Sequence, residues 1–113
     1  MYHSFIFAKN GLVTTWKEEH NFRFEILVAV IVLFTIIFFD FSPLEATFCI
    51  LAITLVLIAE ILNTAVEDLC NKVEPQHDPI IGKIKDTMAA FVLISCLGAG
   101  VVGLLVFYNH FVI

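Results

Sequence analysis

Glu60, Asn63, Thr64, Glu67 and Asn71 follow one another at offsets of three, four, seven and eleven residues within AEILNTAVEDLCNK, residues 59–72. On a helix of 3.6 residues per turn this spacing is a single stripe, with Asp68 at its edge. The stripe continues the almost unbroken apolar run TFCILAITLVLI, so its carboxylates belong to a segment that reads as membrane-buried. A charge at the centre of a membrane helix costs about 2.5–3.5 kcal/mol on insertion scales, which makes an ionisable group there a functional candidate. At about 1.5 Å per residue, Glu67 lies roughly 6 Å from a helix end near Asn71, and Glu60 roughly 16 Å from it. The shallow carboxylate can meet water-borne reactants, whereas the deep one can accept a proton inside the apolar slab. Hydrogen-bonding glue between helices and a proton or cation relay are the other uses of such a stripe.

Two flanking segments carry further candidates. VEPQHDPIIGKIKDTMAA, residues 73–90, places Lys85 and Asp86 directly before an apolar run, with Gly82 and Lys83 close by. A lysine at a helix start can hold phosphate as a point charge; it can equally mark the cytoplasmic side of a span, and Asp86 can favour the helix dipole. His77 and Asp78 read as solvated loop residues. In KEEHNFRFE, residues 17–25, Glu18 and Glu19 would lie at the membrane surface, level with Glu67. Magnesium held by one or two carboxylates, with phosphate and water completing its shell, is reasonable chemistry there.

The elements that must position these groups are helices. The chain has 113 residues, 60% hydrophobic, with 12 Phe and a mean hydropathy of +0.97. A soluble domain is typically about 45–50% apolar, so the class is integral membrane protein. Three runs have the roughly 20 apolar residues a bilayer crossing needs: about 24–41, 44–70 and 89–111. An open strand cannot satisfy its backbone in lipid, so each is a helix. DFSP between the first two is a tight turn, with Pro43 where a helix can start. Residues 4–20 are too polar to span, and Phe5, Ala8, Leu12 and Trp16 share one helical face. That pattern predicts an amphipathic helix lying in the interface, anchored by Trp16. No apolar core precedes a small-residue cleavage site, so this segment does not read as a signal peptide.

The expected fold is thus all-α, a single membrane domain over residues 1–113 with three transmembrane helices and one interfacial helix. Lys9, Lys17, Arg23, Lys72, Lys83 and Lys85 all lie in the N-terminal segment or in 71–88. The positive-inside rule then places both in the cytoplasm and the C-terminus outside. The net charge of −5 and the absence of a basic tract give no sign of nucleic-acid binding. Cys49, Cys70 and Cys96 are dispersed and read as small apolar residues rather than a disulfide or zinc framework. Gly98-Ala-Gly100-Val-Val-Gly103 matches GxGxxG by letter but lies inside a span with no preceding strand. Small residues at 99 and 103 are better explained as letting helices approach closely. Neither a P-loop nor a protein-kinase catalytic loop is present.

EEHNFR at 18–23, AEILNTAVE at 59–67 and GKIKDTMAAFVLIS at 82–95 resemble the prokaryotic diacylglycerol kinase family, which includes undecaprenol kinases of Gram-positive bacteria. The likeness runs from about Phe5 to Phe107. It implies a small three-span homotrimer of the bacterial inner membrane that transfers the γ-phosphate of MgATP to a lipid hydroxyl at the cytoplasmic face. Carried over by motif, Glu60 resembles the catalytic base and Asn63 the residue that supports it. Glu19 and Glu67 resemble the carboxylates that hold Mg2+ with the nucleotide. Lys85 and Asp86 resemble the pair that orders the phosphates, with Gly82 and Lys83 leading into it. Asn71 replaces an aspartate of the enterobacterial members, His20 an arginine, Ala89 a serine and Phe7 a nucleotide-contacting tyrosine. The chain also starts too late for the family's N-terminal arginine. These departures bear on lipid specificity and adenine contacts more than on the chemistry. The EExNFR-like block, EPQHDP and GKIKD tilt the expected acceptor slightly from diacylglycerol toward undecaprenol or a broad specificity. The competing expectation is a non-enzymatic transporter or ion-conducting oligomer with Glu60 as relay, which leaves Lys85 and Asp86 without a role.

Overall fold

A computed structural model describes residues 2–74 and 76–113. It is entirely helical: α1 (Tyr2–Glu18), α2 (His20–Phe38), α3 (Pro43–Val73) and α4 (Pro79–Phe111). The last three are long and apolar enough to cross a membrane. Only 11%, 28% and 6% of their respective most apolar windows is buried inside the chain. Their apolar surface therefore faces outward, an arrangement suited to hydrocarbon or to further copies rather than to water. α3 packs mainly on α4 and less on α2, while α1 contacts α2.

Local chemistry fixes the turns. α2 ends on Asp40, whose φ of 53° is the left-handed conformation that aspartate tolerates better than most residues. Phe41 N then donates to Ile36 O at 3.1 Å, the six-to-one bond of a Schellman stop. Ser42 opens α3 with a reciprocal cap: its Oγ accepts from Glu45 N at 3.1 Å, and Glu45 Oε1 accepts from Ser42 N at 2.9 Å. Glu45 also reaches α4, accepting from Asn109 Nδ2 at 3.1 Å and contacting His110 Nδ1 at 3.0 Å. His110 Nε2 lies 2.8 Å from Phe39 O. Both ring nitrogens thus face acceptors, and the ring satisfies both when doubly protonated. Phe41, Cys49 and Val106 form a buried cluster beside this clasp. Buried residues lie toward both ends of the helices, with Phe22, Ala59, Glu60, Thr64 and Cys70 nearer the α3–α4 loop.

Between α2, α3 and α4 runs an apolar groove of about 520 Å³, lined among others by Cys49, Cys96, Ala99, Gly100 and Gly103. A Cβ added at Gly98, Gly100 or Gly103 would meet nothing within 4 Å. Within one chain, the glycines of α4 thus have open space beside them. On α1, only Thr15 is buried among the described residues, and Phe5, Leu12 and Trp16 are exposed.

The boundaries differ from the hydropathy reading in one consequential place. α4 begins at Pro79, ten residues before the apolar run at 89, because Asp78 caps it. Asp78 Oδ1 accepts from Ile80 N at 2.8 Å and Ile81 N at 3.1 Å, and Pro79 needs no partner for a missing N–H. Asp78 is a cap rather than a merely solvated loop residue. Gly82, Lys83, Lys85 and Asp86 are helical, not part of a loop extending to 88.

Candidate active site

Glu60 is only 2% exposed, although its side chain is ionisable and stands within an apolar helix. Thr64 Oγ1 donates to the Glu60 carbonyl at 3.0 Å, a backbone contact that leaves the carboxylate itself uncommitted. Exposure then grows along the stripe: Asn63 is half-buried, and Glu67 and Asp68 are exposed. Seven residues separate Glu60 from Glu67, about 10 Å along the axis.

Glu19 joins this stripe from the neighbouring element. It is the one non-helical residue between α1 and α2, with φ −110° and ψ 108°, and its side chain makes no capping bond. Its carboxyl is pushed above the ordinary value by burial first, then by the charges of Glu67, Asp68 and Glu18. Glu60 lies in the field of both Glu19 and Glu67. The two carboxylates singled out for metal binding are therefore within electrostatic reach of each other, as is Asp68 of Glu19. No group of three or more His, Cys, Asp or Glu side chains among the described residues is arranged to hold a metal by itself. Two crowded, uncapped carboxylates do fit magnesium, which is usually held by one or two carboxylates plus phosphate oxygens and water. Glu19 and Glu67 would hold it.

The groups of α4 divide between two directions. Lys85 Nζ donates to Asn71 Oδ1 at 2.7 Å, tying α4 to the last turn of α3. Gly82, Lys83 and Asp86 instead line an open hollow of about 540 Å³ together with His77, Asp78 and Thr87. Positions 79, 82, 83, 86, 87 and 90 share one helical face and Lys85 does not. The cation and the hollow thus flank the loop end of the α3–α4 hairpin.

Glu25 emerges only from the structure. Its Oε2 is buried without a hydrogen-bond partner, its side chain lines the apolar groove, and it lies in the field of Glu60. The signal available in the sequence was an ionisable residue just inside the first span.

The model of the prokaryotic diacylglycerol kinase family matches residues 6–107. The chain belongs to that family. Among its relatives, the undecaprenol kinase of Bacillus subtilis (strain 168) is 31% identical over 104 residues, covering 92% of this chain and 85% of its own. The diacylglycerol kinase of Escherichia coli (strain K12) is 27% identical over 105 residues, covering 93% and 86%. That of Haemophilus influenzae (strain ATCC 51907 / DSM 11121 / KW20 / Rd) is 29% identical over 96 residues, covering 85% and 81%. Prokaryotic diacylglycerol kinase relatives thus bear two substrate names, and the likeness extends over nearly the whole chain in both cases.

Proposed function

We propose that the chain is a lipid kinase that transfers the γ-phosphate of MgATP to the hydroxyl of a membrane lipid alcohol. The observation that carries the reading is the vertical order of carboxylates on α3: a buried Glu60, then an exposed Glu67 about 10 Å nearer the loop end, beside Glu19. A lipid hydroxyl arrives at slab depth and a nucleotide from water, so the acceptor and donor sites must be offset in this direction. The neighbouring element chemistry matches: an ammonium and a polar hollow stand at the same end.

In this reading Glu60 takes the proton of the lipid hydroxyl as its oxygen attacks the γ-phosphorus. The bond from that phosphorus to the β,γ-bridging oxygen breaks, and ADP leaves. Asn63, three residues along the same face, orients the reacting hydroxyl or Glu60. The buried, unpartnered Glu25 Oε2 offers that hydroxyl a second contact at the mouth of the apolar groove. Glu19 and Glu67 would hold Mg2+, which would supply neutralisation of the phosphate charge. Lys85 and Asp86 order the phosphates, and Gly82 and Lys83 shape the approach. Phosphoryl transfer asks chiefly for such positioning and charge neutralisation.

The protein works as a homotrimer in the bacterial cytoplasmic membrane, α1 lying at the cytoplasmic interface, N-terminus inside and C-terminus outside. The small-residue face of α4, open within one chain, is available to another copy. The acceptor is undecaprenol or diacylglycerol. The test is purified protein in lipid micelles with labelled ATP and a panel of diacylglycerol, undecaprenol and shorter polyprenols. Magnesium-dependent label in at least one alcohol is expected; no label in any of them, with an ion gradient collapsing in vesicles, would leave the relay function instead.

A further inference from the structure

We propose that Asn71 is a positioning residue for Lys85, holding its ammonium level with the carboxylate stripe so that it meets the phosphates already placed. The proposal rests on the lipid-kinase reading above. Asn71 is the last member of the stripe that begins at Glu60, four residues beyond Glu67 and so on the same helical face. Its Oδ1 accepts from Lys85 Nζ at 2.7 Å, across fourteen residues of sequence. Positions 71 and 85 are equidistant from Asp78, the residue whose cap sets where α4 begins. The antiparallel hairpin therefore brings the last turn of α3 opposite the second turn of α4, and this contact closes it.

The choice of acceptor matters chemically. A lysine ammonium has three N–H donors on a flexible four-carbon stem. One donor spent on Asn71 fixes the head while two remain for phosphate oxygens. An amide oxygen does this without neutralising the positive charge, so the ammonium keeps its full attraction for a polyanion. Both side chains are exposed, so a nucleotide can reach the ammonium from water. Without Asn71 the stem would have to be ordered when the nucleotide binds, at an entropy cost that lysine carries in full.

The experiment measures initial rates in lipid micelles against MgATP and against lipid alcohol, for Asn71→Ala, Asn71→Asp, Lys85→Ala and the double variant Asn71→Ala/Lys85→Ala. Alanine is a good helix former at an exposed helical site, and melting in the same micelles checks that each variant is folded. Asn71→Ala should raise the KM for MgATP by about three- to ten-fold, the range of one charge-assisted hydrogen bond partly screened by water. The KM for lipid should stay at the wild-type value. Asn71→Asp, which keeps an acceptor oxygen in place but sets a negative charge against the ammonium, should recover only part of the loss. In the Lys85→Ala background, Asn71→Ala should add less than two-fold. A full multiplicative effect in that background, or an equal rise in the KM for lipid, overturns the positioning role. If Lys85→Ala itself handles MgATP as wild type does, the phosphate role of Lys85 falls, and the underlying reading of the site with it. An impaired Lys85→Ala with an uncoupled Asn71→Ala removes the positioning role alone.

Discussion

Replacing Glu60 by glutamine exchanges one oxygen for an amide nitrogen in a side chain that is 2% exposed, keeping its volume and removing its ability to accept a proton. The Thr64 hydroxyl bonds to the Glu60 carbonyl rather than to the carboxylate, so the helix loses no internal contact. A positioned general base contributes about 10²–10⁴ in rate, or roughly 2.7–5.5 kcal/mol at 1.36 kcal/mol per tenfold. Glu67 is about 10 Å away along the axis and cannot take its place. Glu25 is the nearer substitute, because its unpartnered Oε2 is buried and it lies in the field of Glu60. A single Glu60→Gln change should therefore lower kcat by about 10²–10³, the lower part of that range. A Glu25→Gln/Glu60→Gln double variant should fall further. The KM for MgATP should not move, since the lost interaction belongs to the transition state. The assay is transfer of labelled phosphate to the best lipid of the panel under saturating conditions, with helix content and assembly size measured in parallel. A well-folded Glu60→Gln enzyme that keeps more than a tenth of wild-type kcat would falsify the base assignment.

Other perturbations test neighbouring parts of the structure. Glu19→Gln removes a carboxyl crowded by Glu67, Asp68 and Glu18. In magnesium-free buffer the variant should melt at or above the wild-type temperature, while the magnesium needed for half-maximal transfer rises several-fold; lower apo stability would speak against like-charge crowding. Glu45→Ala removes the acceptor shared by Ser42, Asn109 and His110. It should lower the melting temperature more than Ser42→Ala, which loses the reciprocal cap but keeps the tie to α4; equal losses would show that the tie carries no weight. Asp78→Ala should fray the first turn of α4, seen as faster amide exchange at Ile80 and Ile81, and should weaken MgATP binding more than lipid binding. Equal exchange in the two proteins would mean that the cap is dispensable.

Much of this architecture was legible because its causes are local. Membrane helices declare themselves by length and apolar content, and SPLE at 42–45 writes a helix start into the turn. The stripe from Glu60 to Glu67 was equally legible, since one helix face needs no knowledge of any other element. What crosses between elements was not. Hydropathy starts the third helix where apolar residues begin, at 89, but a helix continues into water as long as its cap permits, and Asp78 sets that limit. Glu25 looks like a flanking charge until α3 is placed against α2. The small residues of α4 suggested close helix packing, but the pattern does not name the partner, and within one chain the space beside these glycines is open. Spacing likewise cannot say that Glu19 lies within the electrostatic reach of Glu67, because the two stand on different elements.

The distribution of rigidity follows from the same contacts. At the turn end, a Schellman stop, a reciprocal cap, an aromatic cluster and the Glu45–His110 contact converge within a few residues. At the loop end, one side-chain hydrogen bond joins α3 to α4 among the described residues; between the two ends an apolar groove, reaching from Glu25 to Phe107, separates parts of α2, α3 and α4. A site that must admit a lipid from the side and a nucleotide from water needs the second kind of packing, since a filled interior would exclude both. It also needs the first, because the carboxylates of α3 keep their depth only if that helix cannot slide along its neighbours. Tying α3 at its turn end while leaving the groove between the helices unfilled meets both requirements with three helices. Mutations in the Phe41, Cys49 and Val106 cluster should then act at a distance, lowering stability and kcat together while leaving the ratio of the two substrate KM values unchanged.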